Sequence, residues 1–590
     1  MLEQIRRHPA VRVAGPWLAL FALNVLFIAP GVGLEVPDRT SVLLAPSGDL
    51  LLLVGIVVVS VRWRHGVWLK RSAIVAGVVL WIYLWDELIA RSIIYQSPPL
   101  YDQAFLLRHF AVLILDLWSW KVGLGLLGIV LATALVVWLA RVLLRVTVTG
   151  IRAQSVRSQL IGAGLLAALI GLGTVVDNSQ KTPRRERLVH WTTPALSTNA
   201  AASLRMYQAL QRGISDSPYA AYPQQVPLAR KPDIHLLLVE SYGRLLITDA
   251  EAGPAWREQV TGLESRLRDK GWDMVSAFSR APISGGRSWL AEGTLLTGIY
   301  VRFEAVFQHL VADISQTPNL VAYLDTQGYE TVLLAPKAKP RPGVEAVNRY
   351  NYDQQVEALD LEYTGPRFGW GIIPDQYSLG FTQEHVLSKI EGPAFFNFHM
   401  VSSHAPWQII PEFQDDWRSL NDAEASPDAA NQDPIATPGQ EFMARMRRYQ
   451  RRKPKYMWMG DADALKIDAY AASIRYDLEL LTRYVEDLDR DAIVIIMGDH
   501  QPPLLSREDE TFDVPIHILA RDPALLEEFR EQGFVDGLGI NSGRDAALAH
   551  EGVFSMMVRA LARCCAEPGS SMVPYLPEGA PGIDDRGRRK

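Results

Sequence analysis

Five long apolar segments, all before residue 177, constrain this chain more than any other feature: Trp17–Leu34, Val42–Val61, Ala73–Ile89, Val122–Leu139 and Leu160–Val176. Each approaches the ~20 residues that a helix needs to cross a bilayer. A bilayer core has no water to satisfy backbone groups, so such segments are expected to be helical. A sixth stretch, Phe105–Trp118, is shorter and carries Arg108, His109 and Asp116.

The basic residues set the threading. Arg6, Arg7 and Arg12 precede the first segment; Arg62, Arg64, Lys70 and Arg71 follow the second; Arg141, Arg145, Arg152 and Arg157 precede the last. Positive loops stay on the cytoplasmic side. The clusters at 62–71 and 141–157 therefore share a side, and an even number of crossings separates them. Ala73–Ile89 and Val122–Leu139 already supply two. The sixth stretch is thus expected near 104–120 as an amphipathic helix in the outer interface. The expectation is a five-span membrane domain over 1–176 with its amino terminus inside. A cleavable leader is not expected, because spans continue downstream. Asp49, inside the second segment, reads as the start of its helix.

A polar linker is expected over 177–231, with a helix near Thr192–Gln211, and the stretch Asn421–Gln440 reads as a flexible insert. The net charge of -6 gives no basic field for a nucleic acid. The two cysteines, Cys564 and Cys565, are adjacent. Neighbouring cysteines rarely pair, so no disulfide is expected, and two residues cannot make a Cys-rich zinc site.

From residue 232 to 590 the pattern changes. "IHLLLVES" (Ile234–Ser241), "ETVLLAP" (Glu330–Pro336), "AFFNFHMVSSH" (Ala394–His404) and "AIVIIMGDH" (Ala492–His500) read as buried strands. Helical patterns at Pro254–Lys270, Asn319–Gly328 and Asp468–Leu488 alternate with them. That alternation predicts an α/β domain with a central, mostly parallel sheet covered on both faces. Ligands bind beyond the carboxyl ends of such strands. Three of the four end in potential metal or phosphate ligands: Glu240, His404, and the pair Asp499 and His500. Oxygen and nitrogen donors together suit zinc or manganese. "SGGRSWLAEGTLLTGIY" (Ser284–Tyr300) adds a glycine turn that opens into a helix at Ser288. A hydroxyl there faces free amides and a dipole that favours anions, which suits a nucleophile for phosphorus; the same position also suits a plain N-cap. His404 is placed to bind a phosphate oxygen or to protonate a leaving group. His399 and His517 lie within strand patterns and read as structural.

These motifs resemble the alkaline phosphatase/sulfatase superfamily, and its membrane branch most: the lipoteichoic acid synthase-like phosphoglycerol transferases and the phosphoethanolamine transferases. The resemblance implies a sulfatase-like catalytic domain after a five-helix transmembrane domain. It also implies one divalent metal, Mn or Zn, held by Glu240, Ser288, Asp499 and His500, with Ser288 as nucleophile and His404 as the phosphate-binding histidine. "FGWGIIPDQ" resembles the branch's substrate-proximal segment and adds Trp370 and Asp375 as substrate-binding candidates. The implied reaction moves a phospholipid headgroup, phosphoglycerol or phosphoethanolamine, onto an envelope glycan or glycolipid through a covalent phospho-serine. The implied place is the bacterial-type inner membrane, with the catalytic domain periplasmic. The sulfatase motif Cys/Ser-x-Pro-Ser-Arg is not kept, since Leu290, Ala291 and Glu292 replace its last three residues. A plain serine suits phosphoryl transfer. The alternative is a membrane-anchored phosphoric or sulfuric ester hydrolase of the same superfamily.

Overall fold

The computed structural model describes residues 9–32, 45–60, 66–94, 98–105, 120–180, 188–213, 218–250, 252–312, 314–336, 349–365, 373–405, 407, 410–422, 461–503, 505, 511–584 and 586–588. The chain divides into two compact units, one of residues 1–97 and 118–201 and one of 98–117 and 202–590.

The first unit is helical: Pro9–Val32, Gly48–Ser60, Gly66–Ile94, Trp120–Ala153 and Val156–Ser179. Each of the five expected segments overlaps one of these helices; residues 33–34, 42–44 and 61 lie outside the described residues, and the second helix begins at Gly48. Three described stretches, Gly66–Glu87, Val122–Ala153 and Val156–Ser179, are long and apolar enough to cross a membrane; Ala14–Ala29 and Gly48–Ser60 are shorter. Large apolar side chains such as Leu160, Leu165 and Leu172 face outward, as lipid-facing residues do. Asp49 sits in the first turn of its helix and accepts hydrogen bonds from the Thr193 hydroxyl and from the Thr192 and Thr193 amides. Arg152 donates to the carbonyls of Val57 and Val58 at 3.2 Å, capping the carboxyl end of that helix. Arg152 thus lies beside the helix end that precedes the cluster at 62–71. The expected interfacial helix falls almost wholly on 106–119, outside the described residues, as does the insert expected at 421–440 from residue 423 on.

The second unit is built on a nine-stranded sheet: β1 (Asp233–Val239), β2 (Asp273–Arg280), β3 (Glu330–Ala335), β4 (Gln354–Glu357), β5 (Ala394–His399), β6 (Ala492–Gly498), β7 (Asp513–Ala520), β8 (Val535–Asp536) and β9 (Leu548–Ala549). The spatial order is β4-β3-β5-β1-β6-β7-β2-β8, with β9 beside β2. β3, β4, β5, β1 and β6 pair in parallel, whereas β7 is antiparallel to both β6 and β2. β1 and β6 are buried along their whole length, which explains their unbroken apolar sequences. One apolar cluster packs each face of the sheet, with Leu236 and Ile495 in one and Leu237 and Ile496 in the other.

One expectation is corrected. Cys564 and Cys565 are bonded to each other, with Cα atoms 3.7 Å apart. The pair closes the helix Gly552–Cys565, and the chain leaves it in the extended conformation of Ala566.

Candidate metal centre

β1 and β6 lie side by side in register, with Val239 opposite Gly498. The first polar residues beyond these strands therefore emerge at one level. Glu240, Asp499 and His500 are 3%, 4% and 0% exposed, and one ligand atom of each lies within 4.8 Å of the others. His500 Nε2 is 3.5 Å from Glu240 Oε1 and 3.4 Å from Asp499 Oδ2. Two tight backbone features hold them there. Ser241 adopts φ 61°. A Cβ on Gly498 would sit 1.9 Å from the Tyr242 carbonyl oxygen, so only glycine fits.

Backbone contacts orient each ligand. Asp499 Oδ1 accepts the amides of Ser241 and His500, both at 2.7 Å. The His500 Nδ1 atom lies 2.9 Å from the Gln501 carbonyl, which can only accept, so Nδ1 carries the proton and Nε2 keeps its lone pair.

Ser288 arrives on a separate loop. Gly285, Gly286 and Arg287 are all left-handed, at φ 70°, 77° and 63°. The Gly285 amide donates to the Gln501 carbonyl at 3.2 Å, and the Gly286 amide points at His500 Nε2 at 3.1 Å. The loop then enters the helix Ser288–Thr297. The Ser288 hydroxyl donates to Glu240 Oε2 at 3.1 Å and stands 3.4 Å from His500 Nε2. It is engaged with the carboxylate rather than spent as a helix cap. Two buried carboxylates, one imidazole lone pair and one hydroxyl thus face a common point. Buried anions need a cation partner, and this O/N donor set fits a divalent ion such as zinc or manganese.

Two of the remaining expected residues, His404 and Asp375, lie on or against a loop tied to this group. Ser403 Oγ donates to the Glu240 carbonyl at 2.6 Å, which fixes the loop carrying His404 against the ligand strand. His404 Nδ1 lies 2.6 Å from the Ala405 carbonyl, so Nε2 is again the lone-pair nitrogen. Asp375, expected at the substrate, lies under the His404 loop. It is fully buried, and its carboxylate accepts the Val401 and Ser402 amides at 2.8 and 2.7 Å. It holds the His404 loop from beneath. Trp370 lies outside the described residues.

Other residues near the site carry no mark in the sequence. Asp477, in the helix Asp461–Glu486, is fully buried; burial first, then the charges of Asp375 and Glu240, push its carboxyl well above the usual range. Glu292, one helical turn after Ser288, pairs with His399 at 3.0 Å. The Arg287 guanidinium is buried, with Asp102 and Glu304 as its opposite charges. Asp102 also accepts the Ala305 amide at 2.7 Å. A segment from between the third and fourth apolar helices thus folds into the catalytic unit next to the Ser288 loop.

The sulfatase family model matches residues 258–536. This match agrees with the resemblance of the sequence motifs to the alkaline phosphatase/sulfatase superfamily. Solved structures give looser likenesses. The C-terminal periplasmic domain of EptC from Escherichia coli is 11% identical, covering 58% of this chain and 88% of that one at a TM-score of 0.35. The Streptococcus pyogenes phosphoglycerol transferase GacH, in complex with sn-glycerol-1-phosphate, is 12% identical over 64% of this chain and 88% of that one, at 0.33. A phosphonate monoester hydrolase from Agrobacterium radiobacter is 13% identical over 60% and 78%, at 0.30. No curated protein matches the chain.

Proposed function

We propose that this protein transfers a phospholipid headgroup, phosphoglycerol or phosphoethanolamine, to a cell-envelope glycan or glycolipid through a covalent intermediate on Ser288. The observation that carries this reading is the Ser288 hydroxyl, 3.1 Å from Glu240 Oε2 and 3.4 Å from His500 Nε2, at the start of a helix. Glu240, Asp499, His500 and Ser288 would hold one divalent ion, Mn or Zn, which lowers the pKa of the hydroxyl and offsets charge on phosphorus.

In the first step Ser288 Oγ bonds to phosphorus as the bond from phosphorus to the diacylglycerol oxygen breaks. The hydroxyl proton is lost, and the departing oxygen takes one proton. His404 Nε2 is the group that exchanges it. In the second step a glycan hydroxyl attacks the same phosphorus, gives up its proton, and Ser288 is restored. The amino end of the helix Ser288–Thr297 favours the anion during both steps. The apolar helices keep the chain in a membrane, where the donor resides. We assign it to the bacterial-type inner membrane, with the catalytic unit periplasmic.

Product analysis tests this reading. With radiolabelled phospholipid and envelope extract, label is expected in the glycan or glycolipid fraction, together with stoichiometric diacylglycerol. Label recovered only as free headgroup phosphate ester would instead establish the hydrolase.

A further inference from the structure

The carboxyl edge of the sheet holds a second feature. An open cleft of about 580 Å³ is lined by Arg280, Tyr300, Arg302, Phe512, Arg586 and Arg588 among others. It is assembled from three parts of the catalytic unit. Arg280 ends β2 and pairs with Asp513 of β7 and Ala549 of β9. The Ala281 amide binds the Phe512 carbonyl at 2.9 Å. Tyr300 and Arg302 follow the left-handed Gly298 that closes the Ser288 helix. The C-terminal segment packs onto that helix end, through the Ala580 amide on the Gly298 carbonyl at 2.7 Å, and brings Arg586 and Arg588 to the cleft.

The cleft adjoins the nucleophile loop. Ala281, in the cleft wall, leads directly into the loop that carries Ser288, and Tyr300 and Arg302 follow the end of the Ser288 helix. On the other wall, Ala549 and Glu551 flank His550, whose amide binds the Arg280 carbonyl at 2.9 Å.

Four arginines share this cleft with three acids, Glu551, Glu578 and Asp584. Asp584 is spent on the C-terminal turn: it accepts the Arg586 and Arg588 amides and the Arg588 guanidinium at 2.8 to 2.9 Å. Arg280 faces Glu578 at 3.6 Å. Arg302 lies 5.4 Å over the Phe512 ring. Four arginines against three acids leave the cleft one positive charge in excess, which an anion offsets. Planar guanidinium forks match phosphate and carboxylate oxygens. Tyr300 and Phe512 supply aromatic faces, and the acids accept hydroxyl hydrogen bonds. This mixture fits an anionic sugar better than a lipid tail or a neutral glycan.

We propose that this cleft is the acceptor subsite, and that the acceptor is a glycan bearing phosphate or carboxylate close to the hydroxyl that receives the headgroup. The proposal rests on the transferase reading above. Arg302 and Arg586 are its principal anion contacts.

Two assays on the full chain in detergent separate the two claims. The first measures binding of glucose 6-phosphate, inorganic phosphate and glucose to chelator-treated protein. The second measures the rate at which Ser288 is loaded from phosphatidylglycerol or phosphatidylethanolamine vesicles. Arg586→Glu and Arg302→Ala are each expected to weaken glucose 6-phosphate at least tenfold, and Arg586→Glu is expected to leave loading of Ser288 unchanged. Glucose itself should bind at least tenfold more weakly than its phosphate. Arg586 is exposed, so its variant is expected to fold even if Arg302→Ala does not. Unchanged sugar-phosphate binding in Arg586→Glu overturns the subsite, as does glucose binding equal to its phosphate. Slower loading from lipid with sugar-phosphate binding intact assigns the cleft to the donor and also overturns it. Absence of Ser288 loading in the wild type would sink the transferase reading, while the binding assay still reports on the cleft.

Discussion

Replacing His517 with asparagine should flatten the acid sensitivity of the catalytic unit. His517 lies in β7, buried between β2 and β6. Its hydrogen bonds define one tautomer. Ser276 Oγ donates to the Gly537 carbonyl at 2.6 Å, so it accepts from His517 Nδ1 at 2.7 Å. The Tyr242 oxygen accepts from Trp256 at 3.1 Å, so its own proton goes to His517 Nε2, also at 3.1 Å. A second proton on the ring would face the Tyr242 hydroxyl head-on. Burial drives the pKa of His517 down to about 3 from an ordinary 6.5. The sign follows from linkage. The unfolded chain binds a proton at His517 below pH 6.5 and the folded one does not until about pH 3, so stability falls as pH falls through that window. The loss is about 1.4 kcal/mol per pH unit. Between pH 6.5 and 4.5 it reaches about 3 kcal/mol, a large share of the 5–15 kcal/mol typical of a domain. Asparagine keeps a donor for Ser276 but leaves the Tyr242 hydroxyl without its acceptor, which costs about 1–3 kcal/mol at neutral pH. The two stability curves should therefore converge, and the gap should close by about 1.4 kcal/mol for each unit of acidification. Urea denaturation of the two proteins with metal chelated, at pH 7, 6, 5 and 4.5, measures this gap. A gap that stays constant across the series would refute the neutral, hydrogen-bonded assignment of His517.

Further predictions follow from the metal centre. Gly498→Ala would place Cβ 1.9 Å from the Tyr242 carbonyl and 3.1 Å from Val514 Cβ; the end of β6 must move on the order of 1 Å, and turnover should drop about 10²-fold or more. Glu240→Gln should weaken zinc or manganese binding in calorimetry by at least about tenfold, and equal affinity would remove Glu240 from the ligand set. Asp102→Asn deprives Arg287 of an opposite charge and should slow loading of Ser288 at pH 7.5. Burial raises the Asp102 pKa to about 6, so the wild-type group is itself neutral below that pH, and the two rates should converge under acid conditions. A rate ratio independent of pH would contradict that role.

Much of the catalytic unit was legible because β1, β3, β5 and β6 are buried by helices on both faces, which leaves continuous apolar runs. β2 was not. Its sequence DMVSAFSR contains Ser276 and Ser279, which are fully buried yet polar, because they bond His517 and His550. Glu240, Ser288, Asp499 and His500 stood out because each directly follows a strand or opens a helix. The structure brings these four together. Asp375 carried a polar signal too, but nothing in the sequence shows that its carboxylate accepts the Val401 and Ser402 amides. Asp102 and Arg287 are 185 positions apart, and only the fold brings their charges near each other. In the first unit each apolar segment of the sequence overlaps a described helix, and three described stretches are long and apolar enough to span a membrane.

The most direct test of the central claim is intact-protein mass spectrometry of the full chain in detergent. The protein is incubated with zinc or manganese and with phosphatidylglycerol or phosphatidylethanolamine. A mass gain equal to phosphoglycerol or phosphoethanolamine, mapped to Ser288 and absent in Ser288→Ala, is the predicted result, and the lipid that gives it names the donor. No gain with either lipid while free phosphate ester accumulates, or a gain that survives in Ser288→Ala, would contradict the account.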